Sequence, residues 1–523
     1  MRHSNLFQCQ RSLFRRPVVP FHPSIYSRQR WLSCTSTRLC SCSTPNNNNT
    51  PDYRTLGSEQ DLYTTSPYSP GLPLFLPNGT HIINKLITFL RTQYLRYGFR
   101  EVLTPTIYKR SLWEVSGHWQ NYKEDMYEVL GRGASGTTTE MEAGEDETYG
   151  LKPMNCPGHC LLFKSQNHSY RELPVRYADF SPLHRNEVSG ALSGLTRVRR
   201  FHQDDGHIFC RPQQIGDEIA LALGFVEMAM SAFALGPYRL VLSTRPERDF
   251  IGTLDLWDKA EAQLRKALDS SGRPWEINEG DGAFYGPKID IQLQDKAGKY
   301  HQLSTIQLDM NLPQRFGLEY HVSEDEEEYN PSTPGKATPV LIHRAIFGSL
   351  ERFLALLIEQ YNGHWPFWLS PRQGIILTVN QDETVLQKTN EAAEKLSGFQ
   401  TLHTTKEDKI PSPEPLSSID TFFQIDTDTS SQTLSKKIQR AKQMKYNLIF
   451  IIGSKDVANG TITVDITGQM QSRTDGDGNG APKLRQVMES RFGSSDCLKN
   501  PRSVRLNVDE VHDLLREFEK RFL

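Results

Sequence analysis

The chain has 523 residues, 37% of them hydrophobic, and a formal net charge of −2. This length predicts more than one domain, with enough chain for sizeable hydrophobic cores. The balanced charge excludes a global basic field for nucleic acid, so any RNA contact must come from local patches. No apolar run is long enough to span a bilayer, so we expect no membrane partner.

Residues 1–50 have the composition of a targeting segment. They are rich in Arg, Ser and Thr and contain no Asp or Glu, which is typical of a mitochondrial transit peptide. A disordered tail without a targeting role is the alternative. Half of the cysteines lie in this segment, and the others are too few for a dense disulfide framework, which fits a reducing compartment.

The folded part is expected to begin near residue 52. Apolar residues at helical spacing predict an amphipathic helix over 80–97, ended by Gly98. A strand over Phe99–Thr104 follows and is closed by Pro105. Farther on, His118 stands beside a tryptophan and is either a packing residue or a functional one. Residues 131–147 are rich in Gly, Thr and Glu, and we interpret them as an insertion loop.

The segment 179–210 predicts a β-hairpin around a turn rich in Gly and Ser. One residue separates Arg185 from Glu187, and Arg197 and Arg199 repeat this spacing after the turn. Alternate residues of a strand share a face, so these side chains would enter one cleft. Guanidinium groups suit phosphate oxygens, although a solvated, charged hairpin is the alternative. A polar cluster follows at Gln203, Asp204, Asp205 and His207.

The remaining elements fall into two groups. Up to residue 369, we predict helices over 214–233, 254–269 and 343–360, and strands over Tyr238–Ser243, Glu279–Leu293 and His301–Met310. After residue 370, we predict strands over Gly374–Val379 and Leu448–Ile452, helices over 382–397 and 507–521, and loops over 404–430 and 472–482. This second pattern indicates a small α/β domain.

A basic helix within Thr433–Lys445 is a candidate RNA contact. Lys436, Lys437, Arg440 and Lys442 would form a patch for an RNA backbone. A solvated basic face explains the same residues equally well.

Several stretches resemble the threonyl-tRNA synthetases, which are class II aminoacyl-tRNA synthetases. The stretches HRNE (His184–Glu187), GLTRVRRFHQDDGHIFC and KPMNCPGH (Lys152–His159) resemble motif 2 and its neighbourhood. HRAIFGSLERF (His343–Phe353) resembles motif 3, and the helix–strand–Pro unit resembles motif 1, which forms the homodimer interface in that family. The resemblance implies an α+β catalytic domain on an antiparallel sheet over 51–369 and an α/β anticodon-binding domain over 370–523.

Spacing alone does not prove a metal site, and the local set Cys156, His159 and Cys160 is weak evidence for zinc. The resemblance implies that Cys156, His207 and His343 bind one Zn²⁺ per chain. We assign packing or supporting roles to His159 and Cys160. Three protein ligands leave a coordination position open, which the amino group and hydroxyl of threonine would fill. An apolar pocket separates threonine poorly from valine, whereas this site would reject valine.

The resemblance also implies the remaining site residues. Arg185 would hold the α-phosphate of ATP beside the threonine carboxylate, and Phe201 and Arg352 would sandwich the adenine ring. Three further residues would contact ATP: Glu187 the adenine amino group, Arg197 the γ-phosphate, and Gln307 the adenylate or its Mg²⁺. Asp205 would contact the threonine hydroxyl, Tyr285 and Lys288 would contact threonine and its activated carboxylate, and Gln203 and Gln302 would contact the substrate. His118 would lie near the 3′ end of the tRNA.

We therefore predict a threonine–tRNA ligase of the mitochondrial matrix, acting as a homodimer on L-threonine, ATP and tRNA(Thr). One alternative is a class II synthetase for serine or proline, which would not need the zinc ligands. The other is a non-catalytic tRNA-binding subunit, which should have lost Arg185 or Arg352. Because the folded chain reaches the catalytic region almost at once, we expect no N-terminal editing domain and some mischarging with serine.

Overall fold

The computed structural model describes residues 52–130, 148–248, 250–295, 298–399, 416, 421–471, 482–492 and 501–523. The predicted transit peptide and the predicted insertion loop 131–147 lie outside these residues. The described residues belong to one unit that begins at Pro51. In this part of the chain, no helix combines the length and the apolar character needed to cross a bilayer.

An eight-stranded sheet is the centre of the N-terminal part. Its inner neighbours are antiparallel, and only the pair at each edge is parallel, which confirms the predicted antiparallel sheet. In spatial order its strands are Trp275–Asn278, Tyr238–Ser243, Lys288–Gln294, Tyr300–Asp309, Val340–Ala345, Asp205–Cys210, Val175–Asp179 and Arg100–Glu101.

The register of this sheet places residues from distant segments side by side. Cross-strand pairs join Lys288 to Gln307, Gln307 to His343, and His343 to His207. Directly opposed residues lie on the same face of a sheet, and their chain neighbours lie on the other. A continuous row of polar side chains therefore crosses the sheet on one face.

The two faces of the sheet carry different partners. The large core covers one face, where Ile208, Ile306 and Ile342 pack against the helices Pro77–Arg96, Ile215–Ala232, Leu254–Ser270 and Leu350–Tyr361. On the other face, Phe209 and Leu341 pack against the short helix Cys156–Lys164. This arrangement leaves the polar row beside the start of that short helix.

Short elements complete the N-terminal part. The helices are Tyr53–Glu59, Arg110–Ser116, His118–Tyr122 and Leu312–Phe316, with 3₁₀ turns at Lys123–Asp125, Ser189–Ala191 and Pro212–Gln214. The strands are Tyr63–Thr64, Leu74–Phe75, Ile107–Lys109, Glu128–Val129, Tyr149–Leu151, Pro182–His184, Arg200–His202, Tyr320–His321 and Lys336–Ala337.

Three predicted elements differ from the observed ones. The helix predicted over 343–360 begins only at Leu350, because Ser349 caps it by accepting from the backbone N–H of Arg352 at 3.1 Å. His343 instead lies on the strand Val340–Ala345. The run is rich in Ile, Leu and Phe on both sides of Ser349, so its periodicity could not separate strand from helix. The strand predicted over 99–104 is confined to residues 100–101, and that predicted over 279–293 begins at residue 288.

The C-terminal part is built on a five-stranded mixed sheet, which confirms the predicted α/β class. Its strands, in spatial order, are Ile425–Asp428, Gly374–Thr378, Leu448–Ile452, Thr461–Asp465 and Val504–Asn507, and the first three are parallel. The helices around it are Glu383–Ser397, Leu434–Gln443, Ser454–Asn459, Thr467–Gln471, Pro482–Phe492 and Val508–Lys520. The loop predicted over 404–430 is wrong at residues 425–428, which form an edge strand.

The predicted basic patch on the helix Leu434–Gln443 is smaller than its sequence suggests. Lys437 is buried, and its ammonium group donates to the backbone carbonyls of Thr378 and Asp428 at 3.0 and 3.1 Å. The ammonium of Lys442 lies 3.0 Å from a carboxylate oxygen of Asp465. Lys437 therefore stabilises the sheet and cannot face an RNA backbone.

Candidate active site

A cavity of about 490 Å³ opens on the face of the central sheet that carries the polar row. All but one of the predicted site residues line it: Cys156, Arg185, Glu187, Arg197, Phe201, Gln203, Asp205, His207, Tyr285, Lys288, Gln302, Gln307, His343 and Arg352. These residues come from the motif 2 hairpin, four strands of the sheet and the starts of two helices. The fold thus brings together residues that the sequence separates widely.

One end of the cavity holds a candidate metal centre. Single ligand atoms of Cys156, His207 and His343 all lie within 4.8 Å of one another, and the three residues are buried. His207 Nε2 and His343 Nδ1 are 2.9 Å apart because the two residues are paired across neighbouring strands. Cys156 is the first residue of the short helix on the same face of the sheet.

The outer nitrogen of each histidine has its own partner. His343 Nε2 lies 2.9 Å from a carboxylate oxygen of Asp309, and His207 Nδ1 lies 2.8 Å from Nδ1 of His159. Burial lowers the pKa of His207 well below its usual value, so its ring is neutral, the form that binds metals.

The chemistry of this donor set fits a metal ion. Burial raises the pKa of the Cys156 thiol well above its usual value, so a thiolate at this position needs a cation beside it. Two neutral imidazoles and one thiolate are ligands that zinc accepts, and the carboxylate of Asp309 behind His343 is an outer partner common at metal sites.

Asp205 lies beside the metal centre on the strand that also carries His207. Its carboxylate accepts from Asn155 Nδ2 at 3.0 Å, and its other oxygen lies 3.9 Å from His207 Nδ1. Burial raises the pKa of Asp205. Tyr285 closes this end, with its ring centre 5.2 Å from that of His343. A small polar ligand here would meet a carboxylate oxygen next to the metal ligands.

The opposite end of the cavity carries an excess of positive charge. The guanidinium of Arg185 lies over the ring of Phe201, 4.9 Å from its centre. Arg352 donates to backbone carbonyls, including that of Gln302 at 2.8 Å. Burial, with the nearby Arg185 and Arg197, lowers the pKa of Arg352. Such a cluster attracts anions with several phosphate groups.

Glu187 and Arg197 form an ion pair across the rim of the cavity, with 2.7 Å between Glu187 Oε2 and Arg197 Nη2. Arg199 does not share this face, contrary to the predicted alternation. It donates to the backbone carbonyls of Glu187 and Pro70 at 3.0 and 3.2 Å. The residues between Pro182–His184 and Arg200–His202 do not form regular strands, so strict alternation fails there.

The polar wall between the two ends comes from the central sheet. Lys288 Nζ lies 2.8 Å from a carboxylate oxygen of Asp290, and Gln302 Nε2 donates to the other oxygen of that carboxylate. Gln307 donates to the backbone carbonyl of Gly286 at 3.1 Å. These contacts fix side chains that would otherwise be free to rotate.

His118 is the predicted site residue that does not line the cavity. It is buried, with Nδ1 2.7 Å from the Ser116 hydroxyl and Nε2 3.1 Å from the sulfur of Met154. Burial lowers its pKa to about 3, so the ring is neutral at physiological pH. Met154 lines the cavity in its place.

Sequence reasoning missed Asp309, which holds the outer nitrogen of His343. A signal for it was present, because Asp309 lies two residues after Gln307 in the predicted strand. An acidic residue at that spacing points to the same face as the site. The wall residues Met154 and Thr305 carried no comparable signal.

Comparison with known proteins gives two family matches. Residues 138–361 match the tRNA synthetase class II core domain (G, H, P, S and T), and residues 373–474 match the anticodon binding domain.

Individual relatives are similar over most of the chain. The probable mitochondrial threonine–tRNA ligase of Schizosaccharomyces pombe is 49% identical over 426 residues, which are 81% of this chain and 85% of the relative. The mitochondrial threonine–tRNA ligase of Saccharomyces cerevisiae is 46% identical over 412 residues, covering 77% and 83%. The chain also spans about half the length of the cytoplasmic relatives that it matches.

Among solved structures, the RNA binding domain of threonyl-tRNA synthetase from Cryptosporidium parvum superposes with a TM-score of 0.72 at 37% identity. The superposition covers 90% of this chain and 98% of that one.

Proposed function

Because this chain belongs to the threonine–tRNA ligases, a family of class II aminoacyl-tRNA synthetases, we propose that it charges tRNA(Thr) with L-threonine. In the first half-reaction, a carboxylate oxygen of threonine attacks the α-phosphorus of ATP, and pyrophosphate leaves. In the second, a 3′-terminal hydroxyl of the tRNA attacks the carbonyl carbon of threonyl-adenylate, and AMP leaves.

One observation carries this proposal: a single cavity joins a metal-ligand set with a buried carboxylate to a cluster of arginines. The first end, at Cys156, His207, His343 and Asp205, suits a small ligand with an amino group and a hydroxyl. The second end suits a nucleoside triphosphate. The volume of about 490 Å³ lies within the range of cavities that hold small ligands and cofactors.

We infer the ATP contacts from the residues at the arginine end. Arg185 holds the α-phosphate next to the threonine carboxylate and stabilises the negative charge that builds on phosphorus. Phe201 and Arg352 enclose the adenine ring, and Glu187 accepts from the adenine amino group. Arg197 binds the γ-phosphate, for which it must release its ion pair with Glu187.

The wall between the two ends supplies the remaining contacts. Lys288 and Tyr285 contact threonine and its activated carboxylate. Gln307 contacts the adenylate or the magnesium ions that accompany ATP, since magnesium prefers oxygen ligands and phosphates. Gln203 and Gln302 complete the substrate contacts. We assign no proton transfer to His118, because it lies behind Met154.

Cys156, His207 and His343 would hold one zinc ion per chain. Bound there, zinc supplies a Lewis-acidic position for the amino group and the hydroxyl of threonine. Asp205 accepts the hydroxyl hydrogen, and its bond from Asn155 keeps one of its oxygens in place. Valine carries no such hydrogen and would leave the other carboxylate oxygen of Asp205 without a donor in a buried site, which is a strong basis for discrimination.

The proposal extends to assembly and location. Leu95 and Leu103 are 79% and 85% exposed near the helix–strand unit of motif 1, which supports a homodimer through this face. Residues 51–369 form the catalytic domain and residues 370–523 bind the anticodon region of the tRNA. The names of the two mitochondrial relatives and the composition of residues 1–50 support action in the mitochondrial matrix.

Amino-acid-dependent exchange of pyrophosphate into ATP tests this function. Zinc-loaded protein should exchange with threonine, not with valine or proline, and roughly 10- to 200-fold less efficiently with serine, which lacks one methyl group. An absence of threonine-dependent exchange in folded, zinc-loaded protein contradicts the proposal.

A matched cysteine pair tests the metal centre. Cys156 and Cys160 lie four residues apart on one helix, and both are buried and unpaired. Cys156→Ala should lose bound zinc and threonine-dependent exchange, whereas Cys160→Ala should keep one zinc per chain. Equal zinc content in the two variants would exclude Cys156 as a ligand.

A further inference from the structure

The two histidines of the metal centre present different nitrogens to it. His207 faces the centre with Nε2, and His343 faces it with Nδ1. A neutral imidazole has one N–H and one lone pair, on different nitrogens. Each ring can therefore bind a metal only if its outer nitrogen carries the hydrogen, and each outer N–H is buried and needs an acceptor.

For His343 the acceptor is an anion. Its Nε2 lies 2.9 Å from Asp309 Oδ2, and a carboxylate only accepts. This contact places the hydrogen on Nε2 and leaves the Nδ1 lone pair directed at the metal centre.

For His207 the situation is different, because its outer nitrogen faces another imidazole. Nδ1 of His207 lies 2.8 Å from Nδ1 of His159. The nearest carboxylate oxygen, on Asp205, is 3.9 Å away, which is beyond hydrogen-bonding distance. The N–H of His207 is therefore accepted by the Nδ1 lone pair of His159.

This role requires His159 to carry its own hydrogen on Nε2. His159 is fully buried, and its Nε2 has no hydrogen-bond partner within the described part of the chain. The nearest acceptor is Asp179 Oδ2 at 3.7 Å. Asp179 is held in place by the Thr104 hydroxyl at 2.6 Å, and Lys152 Nζ lies 3.7 Å from the same oxygen. A small movement of the His159 ring completes the chain of hydrogen bonds.

We propose that His159 is the positioning residue that keeps the Nε2 lone pair of His207 available to the metal, supported from behind by Asp179 and Lys152. This inference deepens the proposed function and rests on its metal centre. The short segment Lys152–His159 then supplies one metal ligand, Cys156, and two residues that support the ligand His207.

Two substitutions at His159 separate positioning from packing. The polar end of asparagine reaches the position of imidazole Nδ1, whereas that of glutamine reaches farther, towards Nε2. His159→Asn can still accept from His207, and it should keep zinc affinity within a few-fold. His159→Gln should lose roughly 10- to 100-fold in zinc affinity, the usual cost of removing the outer partner of a metal-binding histidine.

The control is His168→Gln. His168 is also buried, and it stacks on Phe163 near the end of the same short helix, with ring centres 4.1 Å apart. It contacts none of the metal ligands, so zinc affinity should not change. Zinc affinity is measured by titration of the full chain against a chromophoric chelator, after circular dichroism confirms that each variant is folded.

These measurements distinguish a failure of the positioning role from a failure of the proposed function. Loss in His159→Gln, with retention in His159→Asn and His168→Gln, supports the positioning role. Equal affinity in both His159 variants overturns it, even if the unchanged protein activates threonine. If the unchanged protein binds zinc but does not exchange pyrophosphate with threonine, the proposed function fails while the positioning role stands.

Discussion

Replacing Asp205 by asparagine should convert a selective amino-acid site into a weakly selective one. Asp205 is 9% exposed and accepts from Asn155 Nδ2 at 3.0 Å. The amide of Asp205→Asn can accept that bond only through its oxygen, and it then presents an NH₂ group to the ligand. A hydroxyl donor of threonine would face another donor where it now meets an acceptor.

The size of the effect follows from the hydrogen bond that is lost. A hydrogen bond to a charged group contributes about 1.5–3 kcal/mol, which corresponds to roughly 10- to 150-fold in kcat/KM. Valine has no hydroxyl, so its own kcat/KM should change little. The ratio of kcat/KM for threonine to that for valine should therefore fall by this factor in pyrophosphate exchange.

The chain neighbour Asp204 provides a matched control. It is fully buried just before the strand, where it accepts from the backbone N–H groups of Ile346 and Phe347 at 2.7 and 2.9 Å. Asp204→Asn should lower the free energy of unfolding by about 1–3 kcal/mol and leave the threonine-to-valine ratio unchanged. The reasoning is refuted if Asp205→Asn keeps the original ratio, or if Asp204→Asn lowers it as much.

Three further predictions concern the rim, the pH dependence and the backbone. Glu187→Ala, which removes the acceptor, should raise the KM for ATP roughly 10-fold with little change in Tm, because its arginine partner is 54% exposed and such pairs add little stability. An unchanged KM would exclude the adenine contact. Burial raises the pKa of Asp204 from 3.8 to about 6, so its protonated form stabilises the fold below about pH 4, and this contribution is lost as the pH rises through 6. In urea unfolding, the free energy of unfolding of the unchanged protein minus that of Asp204→Asn should fall by roughly 3 kcal/mol between about pH 3 and about pH 8. An increase in this difference over the same range would contradict the assignment. Gly286→Ala would bring its Cβ within 2.0 Å of the Leu308 carbonyl oxygen, so it should lower the free energy of unfolding in urea by about 1–3 kcal/mol. Gly224 lies on a helix with open space beside it, so Gly224→Ala should raise the free energy of unfolding by up to about 1 kcal/mol.

The sequence was most informative where a single period runs without interruption. The helix Leu254–Ser270 lies within one residue of its predicted bounds, because it buries one face at helical spacing. The strand Tyr238–Ser243 also has its predicted bounds, although its last four residues are all buried. It was least informative around His343, where strand and helix are both largely buried and a cap at Ser349 divides them. Patterns of hydrophobicity cannot detect such a cap inside a buried run.

The sequence likewise predicted some features of the site and missed others. Side-chain chemistry and family resemblance indicated nearly all the residues that line the cavity. They could not indicate that Arg199 turns outward or that His118 lies behind Met154, because both depend on irregular backbone. Nor could they separate Lys437, which is buried against the sheet, from its exposed neighbours, since helical spacing alone does not show which cation packs inward.

The register of the central sheet links this fold to its chemistry. His207 and His343 meet only because their strands pair at that register, and sliding the strand of His343 by one residue would turn its ring to the opposite face, away from Cys156. The adjacent pair, Gly206 and Arg344, opposes such a shift from the other face. A Cβ on Gly206 would lie 2.6 Å from the guanidinium of Arg344, which is buried over the ring of Phe99 at 4.3 Å. The shifted register would bring the Arg344 guanidinium into the cavity and the His343 ring into the apolar core. Packing on one face of the sheet therefore helps to specify the metal centre on the other face.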